Sequence, residues 1–100
     1  MSTAAGIPPV PSGLSPEAGK LWRLYHGGWQ LDEHSSIVLR LALETHDRMR
    51  QAQREIKRRG LILAGGKVNP ACLVERDSRR DLVKALRSLG LTLDPTEAPA

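Results

Sequence analysis

Gly66-Lys67 is a pair of residues whose types invite comparison with a phosphate-binding loop. A phosphate-binding loop also needs a Gly five residues before the second Gly, and a Ser or Thr after the Lys to hold magnesium. Leu61 and Val68 occupy those two positions. The pair is therefore interpreted as part of a plain turn, and no cofactor is expected.

Histidine and cysteine could bind a metal or act in catalysis, but their spacing supports neither role. No two of His26, His34, His46 and Cys72 have the short spacing of a zinc site. His46-Asp47 could be a base with its orienting group, yet no Ser or Cys stands nearby in a strand-turn-helix setting. The sequence therefore predicts no metal, no catalytic residue and no enzyme.

The aromatic residues Trp22, Tyr25 and Trp29 follow one another at intervals of three and four, so they share one face of a helix. This spacing favours packing into a core or a subunit interface. The alternative interpretation is stacking on unpaired nucleic-acid bases.

Basic residues give the best functional signal. Residues 48–87 contain twelve Lys or Arg and only four Asp or Glu, whereas the rest of the chain contains three bases and seven acids. This asymmetry indicates an anionic partner, although a solvated helix surface would look the same. Among the candidate residues, Arg76, Arg79 and Arg80 are second choices, because neighbouring acids can pair with them. The candidate DNA-binding residues are Arg50, Arg54, Lys57, Arg58, Lys67, Arg76, Arg79 and Arg80.

Length and composition limit the class of protein. The chain has 100 residues and one Cys, which excludes an internal disulfide framework. The longest aliphatic run, at 61–64, is far too short to cross a membrane. No secretory signal is expected, because no charged segment followed by an apolar stretch opens the chain. We expect one small soluble protein of a reducing compartment, most simply the cytoplasm.

Three helices are expected within a foldable region at 15–93, between a flexible arm at 1–14 and a flexible tail at 94–100. Ser15-Pro16-Glu17 is a strong helix start, and Gly27-Gly28 ends that helix. A long central helix begins near Asp32 and ends at Gly60. Double Gly at 65–66 predicts a short β-hairpin or turn near 61–69, and a closing helix follows from about 69 to 90.

The central helix carries a row of apolar or small residues at intervals of four and three, the spacing of a helix-packing seam. This seam comprises Val38, Ala42, Thr45, Met49, Ala52 and Ile56. A small core with three aromatics favours a homo-oligomer larger than a dimer, with the seam facing helices of the same or a neighbouring subunit. Arg50, Arg54 and Lys57 lie on one basic stripe of the same helix, with Arg58 beside it. This stripe lies roughly 90 to 180° from the seam, so one face can pack while the other meets phosphate.

The order of several short motifs resembles the phage terminase small-subunit family. Residues 14–18 read Leu-Ser-Pro-Glu-Ala and precede Trp22. Later segments read Val-Asn-Pro-Ala at 68–71, Glu-Arg-Asp at 75–77 and Leu-Arg-Ser-Leu-Gly-Leu-Thr at 86–92. Leu93-Asp94 precede Pro95, a two-residue departure from the family's usual ending. The resemblance covers residues from about 15 to 95.

The resemblance implies a mainly helical subunit that assembles into rings. It also implies a non-catalytic component of the viral genome-packaging motor in the host bacterial cytoplasm. Such a component recognises double-stranded viral DNA and delivers it to the terminase large subunit, an ATPase and nuclease. The helix-turn-helix of many small terminases is not evident in this sequence. A small dimeric DNA-binding regulator or antitoxin-like protein is the alternative, and a structural adaptor with a merely solvated basic face is a third.

Overall fold

The computed structural model describes residues 6–92 and 94–96 and contains three helices. Helix α1 spans Pro16–Gly28, α2 spans Glu33–Arg59 and α3 spans Ala71–Ser88. The expectation of a mainly helical protein with a long central helix is confirmed. The molecule is elongated, with principal extents of 59 × 23 × 21 Å. Within the described ranges, no helix is long and apolar enough to span a bilayer.

Side-chain caps fix the helix starts that the sequence indicated. The Ser15 hydroxyl accepts a hydrogen bond from the backbone N–H of Ala18 at 3.0 Å, and Pro follows at the first helical position. Asp32 caps α2 by accepting from the N–H of Ser35 at 2.7 Å. Gly60 ends α2 with a φ of 88°, a left-handed conformation that a residue with a Cβ rarely adopts.

The hydrophobic core lies at one end of the molecule, where all three helices meet. We call this end the head (residues 6–49 and 82–92) and the remainder the arm (residues 50–81). The head buries Trp22 and Tyr25 of α1 against Leu43 of α2 and Leu86 of α3. The hydroxyl of Tyr25 donates to the carbonyl of Thr92 at 2.6 Å, which ties the segment after α3 to the core.

The segment before α1 packs against that helix and the core. The indole N–H of Trp22 donates to the carbonyl of Pro8 at 2.9 Å. Val10 lies so close to Gly19 that a Cβ there would be 3.2 Å from its methyl group. The flexibility expected of the N-terminal segment 1–14 and of the tail at 94–100 remains a prediction. Residues 1–5, 93 and 97–100 lie outside the described residues.

The connection between α2 and α3 is a compact turn rather than a strand hairpin. A 3₁₀ turn occupies Ala64–Gly66, and Ile62 and Val68 form one isolated antiparallel bridge. No strand forms in the described part of the chain, so the hairpin alternative is not confirmed. Positive φ at Gly65 and Gly66 reverses the chain direction, and the N–H groups of Leu63 and Asn69 donate across the turn to the carbonyls of Lys67 and Leu61 at 2.7 and 2.8 Å.

Asn69 holds this turn together from inside. Its side chain is buried, donates to the carbonyl of Gly60 at 2.9 Å and accepts from the N–H of Ala71 at 3.0 Å. Its own N–H donates to the carbonyl of Leu61 at 2.8 Å. One polar side chain therefore joins the end of α2 to the start of α3.

Candidate nucleic-acid interface

The long helix α2 carries four of the candidate DNA-binding residues into the arm. Arg50, Arg54, Lys57 and Arg58 are all exposed. Because residues three and four apart are neighbours on a helix surface, these side chains form one basic stripe. The stripe runs along the arm toward the turn that carries Lys67, which is also exposed.

Two members of the stripe are engaged by acids. The guanidinium of Arg50 lies 3.2 Å from Glu17 of α1 and also donates to the side-chain carbonyl of Gln53 at 2.6 Å. Arg58 donates to both carboxylate oxygens of Glu55, at 2.6 and 2.8 Å. This pairing holds the pKa of the Glu55 carboxyl below its usual range. These pairs are exposed to solvent, where an ion pair contributes little and can exchange for another anion.

The three second-choice arginines of α3 are also paired locally. Arg76 lies 3.3 Å from Asp77, and Arg79 binds the Glu75 carboxylate. Arg80 lies 3.7 Å from Asp77 and 3.3 Å from Asp81. The first half of α3 is consequently a band of alternating charge and has less positive potential to offer than the stripe on α2.

Arg54, Lys57 and Lys67 form no ion pair with any residue in the described ranges. Their charges are neutralised only by solvent and counterions, which a polyanion can displace. Arg54 also lines an open cleft of about 600 Å³ between the start of α1 and the middle of α2. These three residues are the strongest candidates for contacting phosphate.

Sequence reasoning did not single out three further exposed bases. Arg48, Lys84 and Arg87 also lack an ion pair within the described residues. Their signal was present in the charge count over 48–87, but they do not belong to the helical stripe. They widen the basic surface without defining a site.

The seam predicted on α2 lies largely against the chain's own helices. Ala42 and Ala52 are buried within the single chain, and Met49 packs against the core. Val38, Thr45 and Ile56 are half-buried. Packing within one subunit was one of the two alternatives for this seam, and its role between subunits stays a prediction.

Asp47 supports the fold in this structure. Its carboxylate accepts from the N–H of Ser15 at 2.8 Å and from the Ser15 hydroxyl at 2.6 Å, which ties the start of α1 to α2. His46 is close by, but its Nδ1 lies 3.6 Å from Asp47 and has no hydrogen-bond partner among the residues that the structure describes. The pair forms no hydrogen-bonded catalytic dyad in this structure.

The other candidate residues for chemistry are dispersed. Lys67 follows an exposed turn, and neither a strand before it nor a long helix directly after it provides a phosphate cradle. The described residues contain no group of three His, Cys, Asp or Glu side chains close enough to bind a metal. Cys72 is a free, half-buried thiol in the first turn of α3.

Comparison with known proteins identifies the family but gives no individual relative. Neither the comparison with curated proteins nor that with solved structures found a match. A family model described as phage terminase, small subunit, matches residues 21–96. That match covers most of the chain and includes α2, the turn and α3, the elements that carry every candidate DNA-binding residue. The small subunit is generally the non-catalytic component of a terminase. The chain belongs to the phage terminase small-subunit family.

Proposed function

We propose that this protein is the non-catalytic DNA-binding component of a phage genome-packaging motor. In this role it recognises viral double-stranded DNA and delivers it to the large-subunit ATPase and nuclease. The family match over residues 21–96 carries the proposal. The concentration of bases in 48–87 supports a polyanionic partner and indicates which surface meets it.

The part of α2 in the arm suits a duplex because it presents Arg54 and Lys57, which have no ion pair within the described residues, on one continuous helix. Duplex DNA carries one negative charge per roughly 1.7 Å of its axis, so several basic side chains on one stripe can each contact a phosphate. Arg54 and Lys57 make the first contacts, and Arg50 and Arg58 exchange their exposed carboxylate partners for phosphates. Such contacts position a protein on DNA without reading its sequence.

Assembly into a ring is part of this proposal. A ring repeats the stripe around a symmetry axis, so a contact that is weak in one subunit becomes strong over many. The alternative, a small dimeric regulator, would place only two stripes on the DNA. The mass of the native particle, with and without duplex DNA, separates these two functions.

The proposal is tested by neutralising the two unpaired stripe residues together, in the variant Arg54→Gln/Lys57→Gln. We expect weaker binding to duplexes of every sequence and a slope of log affinity against log salt that is smaller by roughly 2 for each bound chain. Fluorescence anisotropy across a salt series measures both quantities.

The matched control is Lys20→Gln/Arg23→Gln, which removes the same charge from exposed positions on α1. Its binding should fall only slightly, because general electrostatic attraction is all that it loses. If the stripe variant and the control have equal affinity and equal salt slope, the stripe is only a solvated surface and the proposed site is wrong.

A further inference from the structure

The end of the arm is an unusually apolar surface for a strongly basic protein. The turn and the first turn of α3 expose five aliphatic side chains, with between 41% and 64% of each residue's surface accessible. We call this group the tip patch; it comprises Leu61, Ile62, Val68, Leu73 and Val74. Exposed apolar clusters rimmed by polar residues mark interaction sites.

A second apolar group lies on the head, on the outer face of α2. Ile37 and Leu41 are four residues apart, so they share one face of the helix, and they are 55% and 54% exposed. We call this pair the shoulder patch. The 23 helical residues from Ile37 to Arg59 separate it from the tip by roughly 35 Å along α2. One chain therefore cannot cover one patch with the other.

The charges around the two patches are opposite. Residues 58–74 contain three basic residues and no acid, and Glu55, which lies against both Arg58 and Arg59, offsets only one of these three charges, so the tip keeps a net positive charge. Glu75, next to Val74, is paired with Arg79. Residues 32–39 contain two acids and no Lys or Arg. Arg40, beside Leu41, is neutralised by Glu44 at 3.3 Å.

From this complementarity we infer that the tip patch of one copy packs on the shoulder patch of the next copy. Contact between two tips would bring identical positive rims together and cost electrostatic energy. Tip on shoulder instead brings opposite charges together around an apolar centre. Because the two surfaces differ, the contact is head-to-tail, and repeating it produces a ring or a filament. The inference rests on the self-assembly part of the proposed function and assigns the surfaces that make it.

The test uses one variant for each patch. Ile37→Lys/Leu41→Lys removes the apolar shoulder and adds charges that repel the tip, while Val68→Gln/Leu73→Gln makes the tip polar. These side chains are more than half exposed, so the fold should persist, which circular dichroism checks. Each variant alone should weaken association by at least about tenfold and give single chains of 11.0 kDa in light scattering.

Mixing the two variants gives the decisive measurement. A shoulder variant retains a native tip, and a tip variant retains a native shoulder, so one native contact forms between them and cannot propagate. The mixture should therefore contain a 1:1 species of about 22 kDa, twice the mass of one chain. The matched control Ile7→Gln/Leu24→Gln, which alters exposed aliphatic residues outside both patches, should assemble as the native chain does.

The remaining outcomes overturn the inference, and only a native chain that is always monomeric also removes part of the proposed function, namely the ring. If the native protein assembles and either patch variant still assembles fully, the interface lies elsewhere. A mixture that stays monomeric excludes the head-to-tail contact. If the tip variant assembles normally but loses duplex binding, the tip contacts DNA instead. A native chain that is monomeric at every concentration, with or without DNA, refutes the self-assembly itself.

Discussion

The head and the arm are built on different physical principles, although α2 and α3 run through both. The head buries large side chains, including Tyr25, Leu39 and Leu43, in a core shared by three helices. In the arm, the buried residues are Ala52, Ser78 and Asn69, all small or polar. Hydrophobic burial is roughly proportional to the apolar area removed from water, so the head contributes most of the folding free energy.

This contrast shows how a small chain can combine stability with a charged working surface. The arm buries little apolar surface, because the end of α2, the start of α3 and the turn that connects them are sufficient to maintain its structure. Its outer surface can therefore carry basic side chains along α2, two of them without an ion pair within the described residues, and aliphatic side chains at the tip. The head is thus stabilised by apolar burial and the arm by polar connections, a difference that substitutions in each region can test.

The largest effect is expected from a cavity in the head. Leu43→Ala deletes methyl groups from a side chain that is only 1% exposed, and should lower the free energy of unfolding by about 2–5 kcal/mol. Leu41→Ala is the matched control two positions away, with 54% exposure, and should have a small effect on the monomer. Chemical denaturation at low protein concentration measures both. Equal losses would mean that burial does not distinguish the two sites.

An intermediate effect is expected at the buried amide of the arm. Asn69→Ala leaves the carbonyl of Gly60 and the N–H of Ala71 without their side-chain partner, at a cost of about 1–3 kcal/mol. Hydrogen exchange should become faster around the turn and the start of α3, while the amides of α1 keep their protection. Faster exchange spread evenly over both regions would show that head and arm open as one unit.

The smallest effect at neutral pH is expected at the tyrosine that closes the core. Tyr25→Phe removes the hydrogen bond to the Thr92 carbonyl and should cost about 0.5–1.5 kcal/mol. Burial and, to a lesser degree, the negative charge of Asp94 raise the pKa of Tyr25 to about 12. In the unfolded chain this pKa is about 10.

The sign of the pH dependence follows from that difference. The folded state keeps the Tyr25 proton while the unfolded state loses it, so the stability conferred by the neutral phenol is complete below about pH 10 and declines as the pH rises from 10 towards 12. Tyr25 is the only tyrosine, so its ultraviolet titration can be followed alone. Phe at this position should remove that part of the alkaline loss, and an unchanged profile would contradict the assignment.

Much of the fold was predictable because the start and end of a helix depend on residues that are close together in the sequence. Ser15 and Asp32 cap two helices through side chains that reach only three residues ahead, and Gly60 ends α2 through its own backbone. The aromatic spacing also indicated the buried face of α1 correctly for Trp22 and Tyr25. At 61–69 the sequence left a short β-hairpin and a turn as alternatives, because two short apolar segments around double Gly are compatible with both, and the structure has the turn with one isolated bridge.

The candidate site was predictable as a stripe but not as a set of available charges. Helical spacing alone places Arg50 and Arg54 together on α2, whichever residues surround them. It cannot show that Glu17, 33 residues earlier, meets Arg50 while Arg54 and Lys57 are left without an acidic partner among the described residues.

The sequence by itself determined the three helices, their limits, the basic character of the second half and the resemblance to terminase small subunits, because each depends on residues close together in the chain. The tertiary structure decided how those helices contact one another and which side chains they bury or leave exposed. It brought Asp47 to Ser15, buried Ala42 and Ala52 inside the chain, and left Ile37 and the tip patch exposed. These features depend on the angle and offset at which helices pack, and side chains distant in sequence settle that geometry together.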